Sequence, residues 1–528
     1  MRPLLVILCL LLSILSIAQD LRSGGVLKPE QANMDIRHYR IVLDVDPVTE
    51  TIKGYTETDL LLAAPAEKLI FDLTSVLQVD KIWVNGKVVE FTHADNLIHI
   101  PASKPFAAGK TVVKIAYGGK PFVAQRPPWK GGFQWAKDEA GNPWIAISCQ
   151  GEGAQVYFPC KDHPSDEPNE GAELIITVPK GLVVAGPGLL KKTSTKGNKS
   201  TYHWETNYTI NNYCILFNVG KYKAVTREYI SSAGNKIPMV FYVLEENADK
   251  APYHLELLER SARIFEKYFG EYPWAKEKIG IAETPHLGME HQTMNAYGNK
   301  YKYQQVGGKD FDWLMHHEFG HEWWANKVSN DDWAHMWIQE GICSFGDALA
   351  YREMEGEESY ERNMRNRARN FNGRAVVLAD TADSDLAYTG DIYGKGAYFM
   401  HSLRNFIGDS IFFPTLMTLA TAPEYTYDNM VNTAHVEQLF SKAAGRDLKP
   451  FFDFYLRTTN RFEILVKQTR DDQYRIALLN TDIVLPLEIE TSEGVKRMMV
   501  DKKGIQVQSS VLPSIDKKGY YYKRLVLE

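Results

Sequence analysis

At 528 residues the chain has room for about three to four domains of ordinary size. Hydrophobic residues make up 44% and charged residues 24%, a balance that excludes disorder along the whole chain. Sixty basic against 66 acidic residues leave a net charge of −6, which gives no basic footprint for nucleic acid and too little acidity for an acidic binding role.

The N-terminus reads as an export signal. Arg2 is a short positive start, Leu4 to Ile17 form an apolar run, and Ser16-Ile17-Ala18 offers small residues for cleavage after Ala18. A 14-residue run is too short to span a bilayer, and no later stretch is long and apolar enough. The mature chain is therefore expected to be exported, periplasmic or extracellular, with no transmembrane span. Bulky Leu8 before Cys9 argues against lipid attachment. Cys149, Cys160, Cys214 and Cys343 remain; three full pairings are open to them, and buried free thiols are the preferred reading.

From Ile36 to Val225 the pattern is β. Tyr39, Ile41, Leu43 and Val45 alternate with polar neighbours, and Trp83 to Val89 carries an Asn-Gly hairpin signal. Strands are also expected over Leu174–Pro179 and Cys214–Val219, with Lys191–Ser200 as a loop. Frequent short strands predict an antiparallel sandwich or saddle over residues 19–228. Leu255, Leu258, Ala262, Phe265 and Phe269 then mark an amphipathic helix stopped by Gly270. Helical patterns continue through Leu314–Asn326, Ile338–Met354, Gly396–Ile407 and Phe451–Leu456. Residues 229–457 form an α-rich domain, and residues 458–528 return to β alternation (Phe462, Ile464, Val466; Ile483, Leu485, Leu487, Ile489). The fold class is α+β, with several domains and no internal repeats.

The chemistry is concentrated at His317-Glu318-Phe319-Gly320-His321, an H-E-x-x-H pattern on a predicted helix. Residues four apart share a helix face, so both imidazoles can bind one zinc ion, with Glu318 beside them to act on water. A catalytic zinc needs a third protein ligand and an open position. Glu340 follows His321 with eighteen residues between and opens the next apolar-periodic helix, from which a helix–turn–helix return can deliver its carboxylate. A third histidine six residues after His321 is excluded, because Lys327 stands there. Asp347, seven residues after Glu340, shares its helix face and is the candidate partner for the outer N–H of a zinc-bound histidine. His286, His291, His316 and His335 are read as non-ligands, since three ligands are already in hand.

These residues resemble the aminopeptidase N and leukotriene-hydrolase family of zinc metallopeptidases, which belongs to the gluzincin clan. His317-Glu318-x-x-His321 with Glu340 matches the family's zinc spacing. Leu287-Gly288-Met289-Glu290-His291 resembles its G-x-M-E-N motif, Tyr393-Gly394-Lys395-Gly396 its Y-E-K-G segment, and Phe158-Pro159-Cys160-Lys161-Asp162 a landmark of its N-terminal domain. The matches run in family order over about residues 36–490. The resemblance implies a thermolysin-like catalytic domain and one zinc per chain held by His317, His321 and Glu340. It further implies Glu318 as general base, Tyr393 as stabiliser of the oxyanion, and Gly288 and Met289 as an edge against the substrate backbone. Glu290 and Gln150 would receive the free ammonium of a peptide substrate, with Glu152 second in rank to Gln150. Leu287, His291, Gly394 and Gln155 depart from the family pattern, which bears on specificity more than on activity. The helical C-terminal domain of larger members has no counterpart in the pattern after residue 457, so a more open cleft is expected.

The implied activity is zinc-dependent removal of N-terminal residues from peptides. Three rivals stand beside it: a zinc endopeptidase, an aminopeptidase with epoxide hydrolase side activity (suggested by Asp385 and Tyr388 before Tyr393), and a non-enzymatic binding protein. Intact Glu318 and Tyr393 argue against the last.

Overall fold

The computed structural model describes residues 21–371 and 373–528; the expected signal segment 1–18, with Cys9, lies outside them. An eight-stranded sheet dominates the N-terminal part, in the order Leu189–Lys196, Lys199–Thr206, Ala172–Pro179, Met34–Asp46, Thr51–Leu62, Gly109–Gly119, Gln78–Val84, Lys87–Val89. Tyr39, Ile41, Leu43 and Val45 are all buried, as their alternation requires, while the residues between them stay half-exposed. The Asn85-Gly86 turn closes its hairpin with φ values of 50° and 78°, the left-handed pair of a tight hairpin turn. The sheet is not wholly antiparallel: Met34–Asp46 pairs with Ala172–Pro179 in parallel, so it is mixed.

Two local expectations fail here. Lys191–Ser200 is not a loop but most of a hairpin, Leu189–Lys196 with Lys199–Thr206, turned at Gly197 with φ 60°. Its first strand is an exposed sheet edge, and a strand with no buried face shows no apolar alternation. Cys214–Val219 is strand only from Asn218; Asn212–Cys214 is a 3₁₀ turn, and Ile215, Leu216 and Phe217 are buried without ladder pairing. Continuous burial there mimics a strand.

A four-stranded sheet (Val183–Ala185, Asn218–Gly220, Pro143–Ser148, Gly132–Lys137) meets the next domain where Trp144 Nε1 donates to Tyr222 OH at 3.0 Å. The next domain starts with a five-stranded sheet, Tyr222–Ile230, Lys236–Leu244, Ile279–Glu283, Asn295–Tyr297, Gly288–Met289. The expected boundary at 228/229 falls inside the first of these strands, which pairs along its length with Lys236–Leu244. The edge strand Gly288–Met289 pairs antiparallel with Asn295–Tyr297.

Among the described residues seven helices of eight residues or more follow. They are α1 Ala251–Phe269, α2 Trp313–Gly320, α3 Trp337–Glu355, α4 Glu357–Arg367, α5 Asp391–Ile407, α6 Asp409–Thr421 and α7 Thr433–Ala444. Helix α1 ends at Gly270, whose φ of 82° only glycine adopts readily. Helix α2 is capped by Asp312, which accepts from Leu314 N at 3.1 Å and Met315 N at 3.2 Å. It stops at Gly320, six residues before the expected end. Trp323 N and Trp324 N both turn back to the Gly320 carbonyl, and both indoles are fully buried. Helix α5 starts five residues earlier than the periodicity suggested, placing Tyr393 in its first turn. The expected helix Phe451–Leu456 is a short helix, Lys449–Phe452, continued by a wider π turn over Asp453–Arg457.

Residues 462–527 form two small sheets of four and three strands that dock on α5. Tyr398 and Ser402 of that helix donate to the Gly519 and Tyr520 carbonyls at 2.5 and 2.7 Å.

Helices α3 and α5 cross at two glycines. A Cβ on Gly341 would lie 2.9 Å from both the Cα of Gly396 and the carbonyl oxygen of Ile392. That contact brings Glu340 and Tyr393, on adjacent turns, to one place. Gly341→Ala is expected to force the helices apart at a cost of about 1–3 kcal/mol. A lowered urea midpoint with unchanged m-value would show it, and an unchanged midpoint would mean that the crossing tolerates a methyl group.

Candidate active site

Helix α2 carries His317 in its last turn and His321 as its C-cap, close together, and the first turn of α3 returns Glu340 to them. The Nε2 atoms of the two imidazoles are 3.2 Å apart, and Glu340 Oε2 is 3.6 Å from His317 Nε2 and 3.3 Å from His321 Nε2. That Glu340 oxygen is buried with no hydrogen-bond donor. Tetrahedral zinc with bonds of about 2.0–2.2 Å holds its ligand atoms about 3.3–3.5 Å apart, so this donor set and its orphaned oxygen fit the ion. Burial opposes ionisation of Glu340, but the two imidazoles override it and bring its carboxyl down to about 2. Cys343 also lies close to the imidazoles. Its thiol, however, donates to the His317 carbonyl at 3.1 Å and packs against Gly320.

The outer nitrogens are held differently. His317 Nδ1 donates to Asp347 at 3.1 and 3.3 Å, and Arg367 donates to the same carboxylate at 3.3 Å. Burial works against the Asp347 charge, yet His317 and Arg367 hold its carboxyl down at about 2. His321 Nδ1 donates to the Trp324 carbonyl at 2.7 Å, a partner that exists because α2 ends at Gly320.

Glu318 lies between this point and the Gly288–Met289 edge. A Cβ on Gly288 would come 2.6 Å from Glu318 Oε1, so only glycine leaves that carboxylate its place. Burial, with Glu290 nearby, pushes the Glu318 carboxyl up to about 8. A carboxylate oxygen of Glu290, one of Glu318 and a ring nitrogen of His321 lie within 4.8 Å of one another. Glu290 Oε1 accepts from Gln150 Nε2 at 2.6 Å and from Tyr213 OH at 2.9 Å. Glu152, the second-ranked partner, is not part of this group: its carboxylate accepts from Gly131 N at 2.7 Å. Tyr393 OH donates to Glu340 Oε1 at 3.0 Å and touches the Tyr388 hydroxyl. Burial and the Glu340 charge push the Tyr393 hydroxyl far above its ordinary range, so it keeps its proton.

A cleft of about 300 Å³ joins these groups; Met289, Leu314 and the half-exposed Trp129 and Trp313 line it as well. The other expected non-ligands are engaged or sheltered elsewhere. His316 meets Ser261, His335 meets Thr433, His286 meets Gln134, and His291 is fully buried. Asp385 is paired with Lys130 at 2.8 Å and Arg22 at 3.2 Å. All four described cysteines are buried free thiols.

Three supports were not found in the sequence. Tyr213 orients Glu290, yet nothing in Asn212-Tyr213-Cys214 announces it. Glu322 is a buried hub that accepts from Trp274 Nε1 (2.7 Å), Asn295 Nδ2 (2.8 Å) and Thr293 N (3.0 Å). Asn326 donates to Glu322 at 3.2 Å and to the Glu290 carbonyl at 2.8 Å. The four-residue step from Glu322 to Asn326, directly after the histidine motif, was the available signal.

Known proteins share the central domain and the fold. Residues 253–455 match the description Peptidase family M1 domain. The chain is 21% identical over 500 residues to a leucyl aminopeptidase of Saccharolobus solfataricus, covering 89% of this chain and 60% of the relative. It is 23% identical over 411 residues to leukotriene A-4 hydrolase of Xenopus laevis, covering 72% of this chain and 63% of that one. The chain thus spans less than two thirds of the length of these relatives. An M1 zinc metallopeptidase from Deinococcus radiodurans has the same fold, with a TM-score of 0.69 at 21% identity over 83% of this chain and 94% of that one. The centre of the chain thus holds a peptidase family M1 domain, and the fold of an M1 zinc metallopeptidase is shared over four-fifths of its length.

Proposed function

We propose that this protein is a zinc-dependent aminopeptidase that releases the first residue from peptides with a free N-terminus, using one zinc ion per chain. The spacing around Glu290 carries this reading. In an amino acid the amine nitrogen and carbonyl carbon are about 2.5 Å apart, two bonds across one Cα. Glu290 lies within 4.8 Å of Glu318 and of the His321 ring nitrogen, so the distance from amine receptor to reacting carbonyl fits one residue. An endopeptidase needs no such receptor and would bury the Glu290 carboxylate without a counter-charge. The Saccharolobus relative is named a leucyl aminopeptidase, and a mutant of the Deinococcus metallopeptidase has been crystallised with a Tyr-Ser-Ala substrate.

His317, His321 and Glu340 would hold the zinc. Bound there, it would lower the pKa of a water in its open position to about 7 and polarise the scissile carbonyl. Glu318, which a cation held by those three residues would keep ionised, takes the proton of the attacking water and passes it to the leaving amine. Tyr393, kept protonated, donates to the developing oxyanion. Glu290, braced by Gln150 and Tyr213, pairs with the substrate ammonium, and the Gly288–Met289 edge lies beside the substrate backbone.

Glu318→Gln is expected to keep its metal while losing turnover by about a hundredfold to ten-thousandfold. Metal analysis beside kinetics checks this, and loss of zinc would show that Glu318 is a ligand. Glu290→Ala strands the substrate ammonium in a partly dehydrated cleft, a loss of about 2–5 kcal/mol. Efficiency on free-amine peptides should fall about thirtyfold or more, with zinc content intact. Wild-type efficiency in that variant would place the amine receptor elsewhere.

We further propose that the protein is exported, supported by Arg2, the apolar run Leu4–Ile17 and the small residues before Gln19. Among the described residues no helix is long and apolar enough to cross a membrane. N-terminal sequencing of protein secreted by a bacterial host should read from Gln19, and a retained Met1 would refute cleavage.

A further inference from the structure

Past Gln150 the cleft opens into a second cavity of about 190 Å³. It shares Trp129, Gln150, Met289 and Tyr388 with the first but touches none of the three metal-binding residues, so it adjoins the amine end of a bound peptide. Glu152 forms part of its wall. The residue is 3% exposed, and among the described residues its carboxylate takes one hydrogen bond, from Gly131 N to Oε2. The nearby cations are accounted for or peripheral. Lys130 and Arg22 are drawn to Asp385, at 2.8 and 3.2 Å, and Arg126 is exposed at the rim. Lys130, also on the wall, acts on Glu152 through its charge, yet Glu152 is the one buried charged residue among the described residues of the lining, and Trp129 and Tyr388 line the cavity with it.

We propose that this cavity receives the first side chain of the substrate and that Glu152 selects a positively charged one, arginine or lysine. The proposal rests on the aminopeptidase reading above. A guanidinium or ammonium entering here gains a carboxylate partner in a water-poor pocket and aromatic faces along its stem. Burial pushes the Glu152 carboxyl up to about 7, and an incoming cation would hold it ionised. An acidic side chain would meet like charge, and an apolar one would add nothing to the Gly131 N–H and the Lys130 charge that already act on the carboxylate. Glu152 is thus a specificity residue two positions from Gln150, which serves the backbone amine.

The test compares kcat/KM for arginyl, lysyl, leucyl and glutamyl fluorogenic amides on the zinc-loaded full chain and on Glu152→Gln. Free L-arginine and L-leucine are run as product inhibitors of leucyl hydrolysis. The wild type should prefer arginyl and lysyl over leucyl substrates by about tenfold or more, and Glu152→Gln should bring that ratio near one. Free arginine should inhibit at about tenfold lower concentration than leucine, a wild-type measurement that decides even if the variant does not fold. Equal wild-type efficiencies, or a basic preference that survives Glu152→Gln, would overturn the role of Glu152 and leave the aminopeptidase reading standing. Failure of the wild type to cleave any of the four amides would overturn that reading itself.

Discussion

Three carboxylates, Glu290, Glu318 and Glu340, are buried around one small volume, and positive charge is what makes that arrangement tolerable. Each is met differently. Glu340 faces two imidazoles and a tyrosine hydroxyl, Glu290 is held by neutral donors, and Glu318 has burial pushing it toward its protonated form. Helix ends, edge strand and glycine crossing all serve this crowding. Gly288 leaves room for Glu318, Gly341 and Gly396 let α3 and α5 meet, and the four-stranded N-terminal sheet delivers Gln150. On the proposed reading, a metal beside Glu340 and a substrate ammonium beside Glu290 would be the two cations that complete the electrostatics, side by side in the same cleft.

Much of the site was legible because its parts lie on regular elements. His317, Glu318, His321, Glu340 and Asp347 sit at helical steps, and a step of three, four or seven residues fixes direction before any tertiary contact is known. Tyr393 needed the family resemblance, since the periodicity of α5 starts after it. Tyr213 and Glu322 were not legible for a physical reason. Their roles depend on side chains meeting across domains or loops, Tyr213 with Glu290 and Glu322 with Trp274 and Asn295, and no local spacing encodes such meetings.

The fold shows the same division. Amphipathic α1 and the half-buried strands follow their periodicities closely. The exposed hairpin Leu189–Thr206 and the buried, unpaired Ile215–Phe217 do not, because burial and secondary structure part company there. A sheet edge in water carries no apolar stripe, and a buried coil carries nothing else. Glu152 and Gln150 illustrate the limit most directly. Two residues apart in a turn, they are interchangeable on paper, and the structure sends one to Glu290 and the other into a separate cavity.

The early end of α2 makes the two imidazoles unequal as electron donors. His321 gives its outer proton to a neutral backbone carbonyl, whereas His317 gives its own to a carboxylate. A ring that leans on an anion is the more basic of the two, so the inner nitrogen of His317 pushes more charge toward whatever it binds. Arg367 shares that anion and withdraws part of the push. Arg367 also borders the cleft, so one guanidinium joins the cleft wall to the outer hydrogen bond of His317.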